Sequence, residues 1–249
     1  MSGHSKWSTI KRKKGALDAK RGKIFSKLIK EITVAARIGG GDEDANPRLR
    51  LALNKARTSN MPNANIERAV SKGTGEADGV VYEEITYEGY GPGGVAFIVE
   101  CMTDNRNRTV GEVRHAFSRN LGNMAENGAV SWNFERLGLV SVSKARTSED
   151  DLMMMVLDAG AESIEDGDET WEVYSALESM ESVRQAVLDN KLEVKEYTPT
   201  LKPKMLCNVG ADDARRVLKL IDVLEDLDDV QEVYTNFDAD EAVMAGLAG

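Results

Sequence analysis

Apolar residues recur at helical spacing in the first third of the chain. Between residues 24 and 38 they return every three or four positions, until three consecutive glycines end the run. Asn46 followed by Pro47 is typical of a helix start, and Asn63 is predicted to cap a third helix that Gly73 would stop. The pattern predicts three short helices around one small core, preceded by a loosely ordered basic arm at 1–23.

After residue 75 the periodicity changes to short strand-like runs. Residues 80–88 and 95–102 flank the sequence GYGPGG, which is typical of a hairpin turn, and 107–120 follow as a helix. The next elements alternate as strand, helix, strand, strand, helix, strand, at 138–143, 148–159, 161–165, 171–176, 178–189 and 192–198. This order is that of a ferredoxin-like unit. A strand at 204–209, a helix at 212–225 and a strand at 230–235 complete the chain.

These elements predict an α+β fold with three domains. A basic three-helix domain occupies 1–75, and a ferredoxin-like βαββαβ domain occupies 131–203. Neither the hairpin and helix before this unit nor the elements after it form a convincing domain alone. We therefore expect 76–130 plus 204–249 to combine into a discontinuous α/β domain, into which 131–203 is inserted.

The net charge changes sign at residue 75, where the predicted three-helix domain ends. The protein has 249 residues and a net charge of −10, but residues 1–75 contain 17 Lys+Arg against 6 Asp+Glu, whereas 76–249 contain 15 against 36. An excess of eleven positive charges over one module is the footprint of nucleic-acid binding. No run of about 18 apolar residues is present, so no membrane association is expected. Two cysteines and no secretory signal favour the cytoplasm.

The candidate phosphate-binding residues lie mostly in the first thirty positions. Each basic side chain that neutralises a phosphate releases condensed counterions. Trp7 could stack on an unpaired base or pack on the helical core, and His4 is equally ambiguous. The nucleic-acid-binding candidates are His4, Lys6, Trp7, Lys11, Arg12, Lys13, Lys14, Lys20, Arg21, Lys23, Lys27, Lys30, Arg106 and Arg108.

The hairpin turn is a second candidate. Its small residues could admit an anion or a nucleic-acid backbone, although a tight turn of purely structural importance is the commoner reason for such a sequence. The residues concerned are Gly89, Tyr90, Gly91, Pro92, Gly93 and Gly94. Arg106 and Arg108 follow at a predicted helix start, where cations are unfavourable to the helix dipole and where an external anion would offset them.

Nothing in the sequence predicts a catalytic residue, a metal site or a cofactor. Two histidines leave little room for imidazole-based catalysis, so we expect a protein that is not an enzyme, and an enzyme with an unrecognised site is the minor alternative. The acidic clusters at 165–169 and 225–229 offer carboxylates to a hard cation, but neither has the spacing of a calcium loop. We expect both to be solvated acidic faces.

Five segments together resemble the YebC/PmpR family, which includes the mitochondrial translational activator of cytochrome oxidase. They are GHSKWSTIKRKKGALDAKRGKIFSKLIKEI, NMPNANIERAVSKGTG, YEGYGPGG, TDNRNRT and LGNMAENGAVSWNF. The resemblance covers essentially the whole chain, up to the closing LEDLDDVQEVYTN. It implies a helical N-terminal domain and two α/β domains around a cleft. Because it begins at Ser2-Gly3, we expect no mitochondrial presequence and a bacterial cytoplasmic protein.

The resemblance implies two different functions. Bacterial members are usually described as DNA-binding transcriptional regulators, which would make promoter DNA the partner. The mitochondrial activator instead implies a ribosome-associated translation factor that eases elongation through proline-rich stretches, with ribosomal RNA as the partner. Phosphate chemistry cannot distinguish them. The extended arm, its phosphate-binding side chains and Trp7 suit irregular RNA, so the translational role is our leading hypothesis. The oligomeric state stays open.

Overall fold

The N-terminal region is a three-helix cluster, as predicted. The computed structural model describes residues 17–75 and 81–248, with side chains described for 22–75 and 81–247. Helix α1 spans Leu17–Gly39, α2 Pro47–Thr58 and α3 Asn63–Thr74. Their apolar faces share one core, built from buried residues that include Ile32, Leu49, Leu53 and Ile66. The mixed α/β fold class with a leading helical region is thereby confirmed.

Helix α1 begins earlier than its apolar pattern predicts. It starts at Leu17, so the basic arm predicted for 1–23 is wrong for residues 17–23, which are helical. Gly22 does not interrupt the helix, because an exposed glycine costs only about 1 kcal/mol relative to alanine. The predicted cap at Asn46 is correct, since its side chain accepts a hydrogen bond from Leu49 N at 3.0 Å.

The predictions for the ends of α3 are wrong. Pro62 is the residue before the first helical turn, so Asn63 lies inside the helix rather than capping it. Gly73 does not stop the helix, which continues to Thr74. Instead, a Cβ atom on Gly73 would lie 2.5 Å from the carbonyl oxygen of Thr33. Glycine is needed there because α3 and α1 approach each other closely.

The hairpin belongs to a four-stranded sheet in the order β3-β1-β2-β9. Strand β1 spans Glu83–Tyr90, β2 Ala96–Thr103, β3 Asn123–Ala125 and β9 Val230–Thr235. Helix α4, Arg106–Arg119, packs on this sheet, and α7, Ala211–Glu225, precedes β9. The ring of Phe117 on α4 meets that of Phe97 edge-on, with 5.6 Å between centroids. Residues 17–75, 81–129 and 212–233 form one compact unit.

The second compact unit, residues 130–211 and 234–248, contains the ferredoxin-like sheet. Its strand order is β5-β6-β4-β7, with every adjacent pair antiparallel. Val140, Leu152, Val173 and Val183 are central to its core. The elements are β4 Phe134–Ser143, α5 Glu149–Val156, β5 Ala161–Asp166, β6 Thr170–Ser175, α6 Met180–Asp189 and β7 Val194–Pro203. This is the strand order of the βαββαβ unit that the sequence predicts.

The end of the chain differs most from prediction. Only Cys207–Asn208 of the predicted strand 204–209 is extended, as β8, and it pairs in parallel with β10, Phe237–Asp238. Helix α8, Glu241–Ala248, was not predicted. The domain boundaries 1–75, 76–130 plus 204–249, and 131–203 stay a prediction.

A buried carboxylate connects the helical region to the first sheet. The Asp229 side chain, only 3% exposed, lies beside the start of β9. Its Oδ1 accepts from Lys30 Nζ of α1 at 2.7 Å. Its Oδ2 accepts from Thr103 Oγ1 at 3.1 Å, Thr109 Oγ1 at 2.8 Å and Arg108 Nη2 at 2.6 Å. One side chain thus joins α1, the end of β2, the start of α4 and β9.

The hydrogen bonds decide the charge of this carboxylate. Burial by itself raises the pKa of Asp229, but the bonds from Lys30, Arg108 and Thr109 outweigh burial and hold the pKa at about 2, below the ordinary 3.8. A group whose pKa is lower in the folded state stabilises that state above its unfolded pKa. The contribution is lost as pH falls from 3.8 towards 2.

We expect Asp229→Asn to destabilise the fold by about 3–5 kcal/mol at neutral pH, because it leaves Lys30 and Arg108 without their buried anion. Denaturant unfolding measures the loss. The difference between wild type and variant should shrink as pH is lowered from 4 to 2, where the wild-type carboxylate also becomes neutral. A difference that is independent of pH across this interval would contradict the assigned role of the charge.

We expect Gly73→Ala to destabilise the fold by about 1–3 kcal/mol, because the new methyl group collides with the α1 backbone. Gly111 of α4 provides the control, since a Cβ atom there meets nothing within 4 Å. Gly111→Ala should stabilise by about 0.5–1 kcal/mol through helix propensity. Denaturant midpoints that move in the same direction for both variants would show that the contact at Gly73 is unimportant.

Candidate nucleic-acid interface

Three of the predicted phosphate-binding lysines lie on one face of α1. Lys23, Lys27 and Lys30 follow each other at helical spacing. The Nζ atom of Lys23 donates to the carbonyl oxygen of Asp226 at 2.8 Å, and that of Lys27 donates to the carbonyl oxygen of Glu225 at 2.8 Å. These carbonyls are at the C-terminal end of α7, where the helix dipole favours cations.

Lys30 also binds backbone carbonyl oxygens, but it is more deeply buried than Lys23. Besides Asp229, its ammonium group contacts the carbonyl oxygens of Asp228 at 2.9 Å and Met102 at 3.4 Å. Its side chain is 14% exposed. The α1 lysines therefore serve as counterions for the acidic segment 225–229. That segment was expected to be a solvated acidic face, and for Asp229 this expectation is wrong because α1 covers it.

Burial also affects the second of these lysines. Burial lowers the pKa of Lys27, although the carboxylates of Glu232, Glu225 and Asp226 act in the opposite direction. A half-buried ammonium group that already has a carbonyl partner is poorly placed to receive a phosphate. We therefore attribute a structural role to Lys27 and Lys30.

Most of the remaining N-terminal candidates lie outside the described residues. Lys20 and Arg21 are on α1, but their side chains are not described. The candidates outside the described part of the chain are His4, Lys6, Trp7, Lys11, Arg12, Lys13 and Lys14. From the sequence, residues 1–21 contain seven Lys and Arg against the single acid Asp18.

Arg106 and Arg108 have different surroundings. Arg108 Nη2 is bonded to Asp229 at 2.6 Å and to Asp104 at 2.8 Å, and these bonds raise its pKa. Arg106 is exposed at the first position of α4, and its guanidinium group forms no ion pair or hydrogen bond within the described chain. Of the pair, Arg106 is the one available to an external anion.

The hairpin turn is closely packed. Gly91 N donates to the carbonyl oxygen of Val95 at 2.8 Å, and Gly94 N donates to that of Gly91 at 3.2 Å. A Cβ atom on Gly91 would lie 2.5 Å from the Phe97 ring, and Gly93 has a φ of 69°. Gly89 and Tyr90 end β1, and Pro92–Gly94 form a short 3-10 turn. Packing and left-handed backbone account for these glycines.

Two exposed arginines of α4 were missed by sequence reasoning. Arg114 and Arg119 lie on its solvent side, while Val113 and Phe117 face the sheet. The sequence carried a signal for them, since α4 contains four arginines and one glutamate. The sequence prediction for this segment is only that of a helix, with no role for its exposed face.

The described chain offers little for other kinds of site. Across 17–75 and 81–248, no group of three or more His, Cys, Asp or Glu side chains could hold a metal ion. Among the helices of this part of the chain, none has both the length and the apolar content needed to cross a membrane.

Comparison with known proteins connects these features to one family. Residues 5–76 match the family model for the TACO1/YebC protein N-terminal domain, and residues 82–237 match the model for the TACO1/YebC second and third domain. A crystal structure of a conserved hypothetical protein from Aquifex aeolicus is similar, with a TM-score of 0.83 and 44% sequence identity. The match covers 90% of this chain and 93% of that chain.

Curated relatives match over almost their full length. A protein of Desulfotalea psychrophila is 55% identical over 100% of both chains, and one of Chlorobaculum parvum is 53% identical over 99% of both. Both are named "Probable transcriptional regulatory protein". With both family models matched and relatives of this similarity, the chain belongs to the TACO1/YebC family.

Proposed function

We propose that this protein is a nucleic-acid-binding regulator of gene expression that works in the cytoplasm as a ribosome-associated translation factor. In this proposal its basic N-terminal region docks on ribosomal RNA, and it eases elongation through proline-rich stretches as the family resemblance implies. The supporting observation is charge: residues 1–75 carry an excess of eleven positive charges in a protein whose net charge is −10. No catalytic residue or cofactor is part of the proposal.

The contacts of the α1 lysines narrow the proposed docking region. Lys27 and Lys30 are bonded to the α7 end and to Asp229, so they contribute to the fold. The positive charge that remains for phosphate is concentrated in residues 1–21. A short segment dense in cations suits the irregular phosphate array of folded RNA, and Trp7 within it can stack on an unpaired base.

Transcriptional regulation is the second candidate, and the names of the relatives favour it. A sequence-specific DNA regulator reads base edges with side chains from a helix in the major groove. Helix α3 offers Asn63 and Arg68 on exposed positions, but it has only twelve residues. The acidic remainder of the chain would be repelled by a neighbouring DNA duplex, whereas basic protein surfaces at a translation site would attract it.

Neutralising residues 11–14 tests the docking region. We expect Lys11→Gln, Arg12→Gln, Lys13→Gln and Lys14→Gln, combined in the full chain, to weaken binding to a ribosomal RNA fragment. The slope of log K against log[salt] should fall by roughly 0.7–0.9 for each lost phosphate contact. The matched control neutralises four exposed cations of the acidic part: Lys195, Arg215, Arg216 and Lys219. Equal slopes for the two variants would place the binding surface elsewhere.

Crosslinking in living cells distinguishes the translational role from the transcriptional one. We expect sequencing of the bound nucleic acid to recover ribosomal RNA from cells that express the wild-type protein, and much less from cells that express the variant neutralised at 11–14. The physical reason is that phosphate contacts by this segment dominate docking. Recovery of promoter DNA at discrete sites, without enrichment of ribosomal RNA, would sink the translational proposal and favour the transcriptional one.

A further inference from the structure

Helix α4 is a basic element within an acidic part of the chain. Its fourteen residues, Arg106–Arg119, contain four arginines, and Glu112 is its one acidic residue. Residues 76–249 as a whole contain 36 Asp+Glu against 15 Lys+Arg. The charge of α4 is therefore opposite to that of the sequence around it.

Only one of these arginines has a partner in the described chain. Arg108 is bonded to Asp229 and Asp104. Arg106, Arg114 and Arg119 are exposed, and their guanidinium groups form no ion pair or hydrogen bond with residues 17–75 or 81–248. Several arginines of other helices pair with carboxylates, namely Arg48, Arg57, Arg184, Arg215 and Arg216, whereas Arg68 of α3 is exposed like the three on α4.

The helix holds these three side chains on a rigid base. Its opposite face is buried at Thr109, Val113, Ala116 and Phe117, and its first turn is fixed to Asp229. At about 1.5 Å and about 100° per residue, Arg106 and Arg119 are about 20 Å apart along the axis, and Arg114 and Arg119 lie about 140° apart around it. Arg114 and Arg119 therefore lie on the two edges of the exposed face, where they can meet separate phosphates.

The charges of two of the arginines act on the same tyrosine of β1. Burial raises the pKa of Tyr87 on β1, and the charges of both Arg106 and Arg114 oppose this rise. Both guanidinium groups are thus close enough to one hydroxyl group to act on it.

The position of Arg106 is unfavourable in the isolated protein. A cation in the first turn opposes the helix dipole. Asp104 and Asp229 offset this cost for Arg108, but Arg106 has no such carboxylate in the described chain. A bound phosphate would supply the missing negative charge.

We propose that Arg106, Arg114 and Arg119 form a second phosphodiester-binding surface, which contacts the backbone of the nucleic acid proposed above as this protein's partner. The inference rests on the proposed function and adds a site to it. Guanidinium groups suit this task, because their planar donors match phosphate oxygens and because they stay charged at any physiological pH. Arg108 is excluded from the surface, since its donors already serve Asp229.

The test compares two triple variants of the full chain. One carries Arg106→Gln, Arg114→Gln and Arg119→Gln. The control carries Arg146→Gln, Arg215→Gln and Arg216→Gln, which removes the same charge from other exposed positions. Binding of each protein to a ribosomal RNA hairpin and to a DNA duplex of equal length is measured across a salt series. Unfolding midpoints verify that both variants are folded, and the single variant R114Q provides a second measurement with less disturbance.

We expect the α4 variant to lose roughly tenfold or more in affinity and about 2–3 units of salt slope, while the control changes little. Loss on the RNA probe supports an RNA backbone as the ligand, and loss on the DNA probe alone supports a DNA backbone. Equal slopes for the α4 variant and the control overturn the inference while leaving the proposed function intact; an acidic protein would then be the alternative partner. Wild-type protein that binds neither probe would overturn the proposed function and this inference together.

Discussion

The buried charge of Asp229 is the constraint on which the first compact unit depends. A carboxylate with 3% exposure must be hydrogen-bonded and paired, or burial would neutralise it. Asp229 meets this requirement with partners from three separate elements, because Lys30 comes from α1, Thr103 from β2 and Arg108 from α4. The relative placement of these elements follows from one group that cannot be left unsatisfied.

Because of this constraint, some basic residues of the N-terminal region have a structural role. The excess of positive charge in residues 1–75 indicates polyanion binding, but some of it neutralises the protein's own acidic segment at the α7 end. Lys27 and Lys30 are therefore needed before any nucleic acid is present. Arg48 has a similar role, since it donates to Glu31 of α1 and to Glu84 of β1. Charge that holds the helical region on the sheet is not available for phosphate.

Local structure was predictable where a short-range signal decides it. The cap at Asn46 and the strand order of the ferredoxin-like sheet follow from neighbouring residues and from the sequence of elements. Contacts between distant segments were not predictable in this way. The sequence around Gly73 is that of a helix end, and only the approach of Thr33 shows that it is a packing position. Asp229 resembled any other acid of a solvated cluster, because its partners are more than a hundred residues away.

The candidate site was also predictable only in part, because contacts between distant residues decide which cations are free to bind a ligand. Composition and charge indicate the polyanion and the N-terminal region, but they cannot distinguish a lysine that binds a carbonyl oxygen from one that faces solvent. The arginines of α4 illustrate the reverse case, since the sequence shows four of them in one helix, but only the structure shows that Arg108 is bonded to Asp229 while Arg114 is exposed. In a protein of net charge −10, acidic surfaces repel a polyanion over about a Debye length. Binding then requires cations that are concentrated and unpaired, so it is the unpaired arginines and the N-terminal segment that would determine which surface faces the nucleic acid.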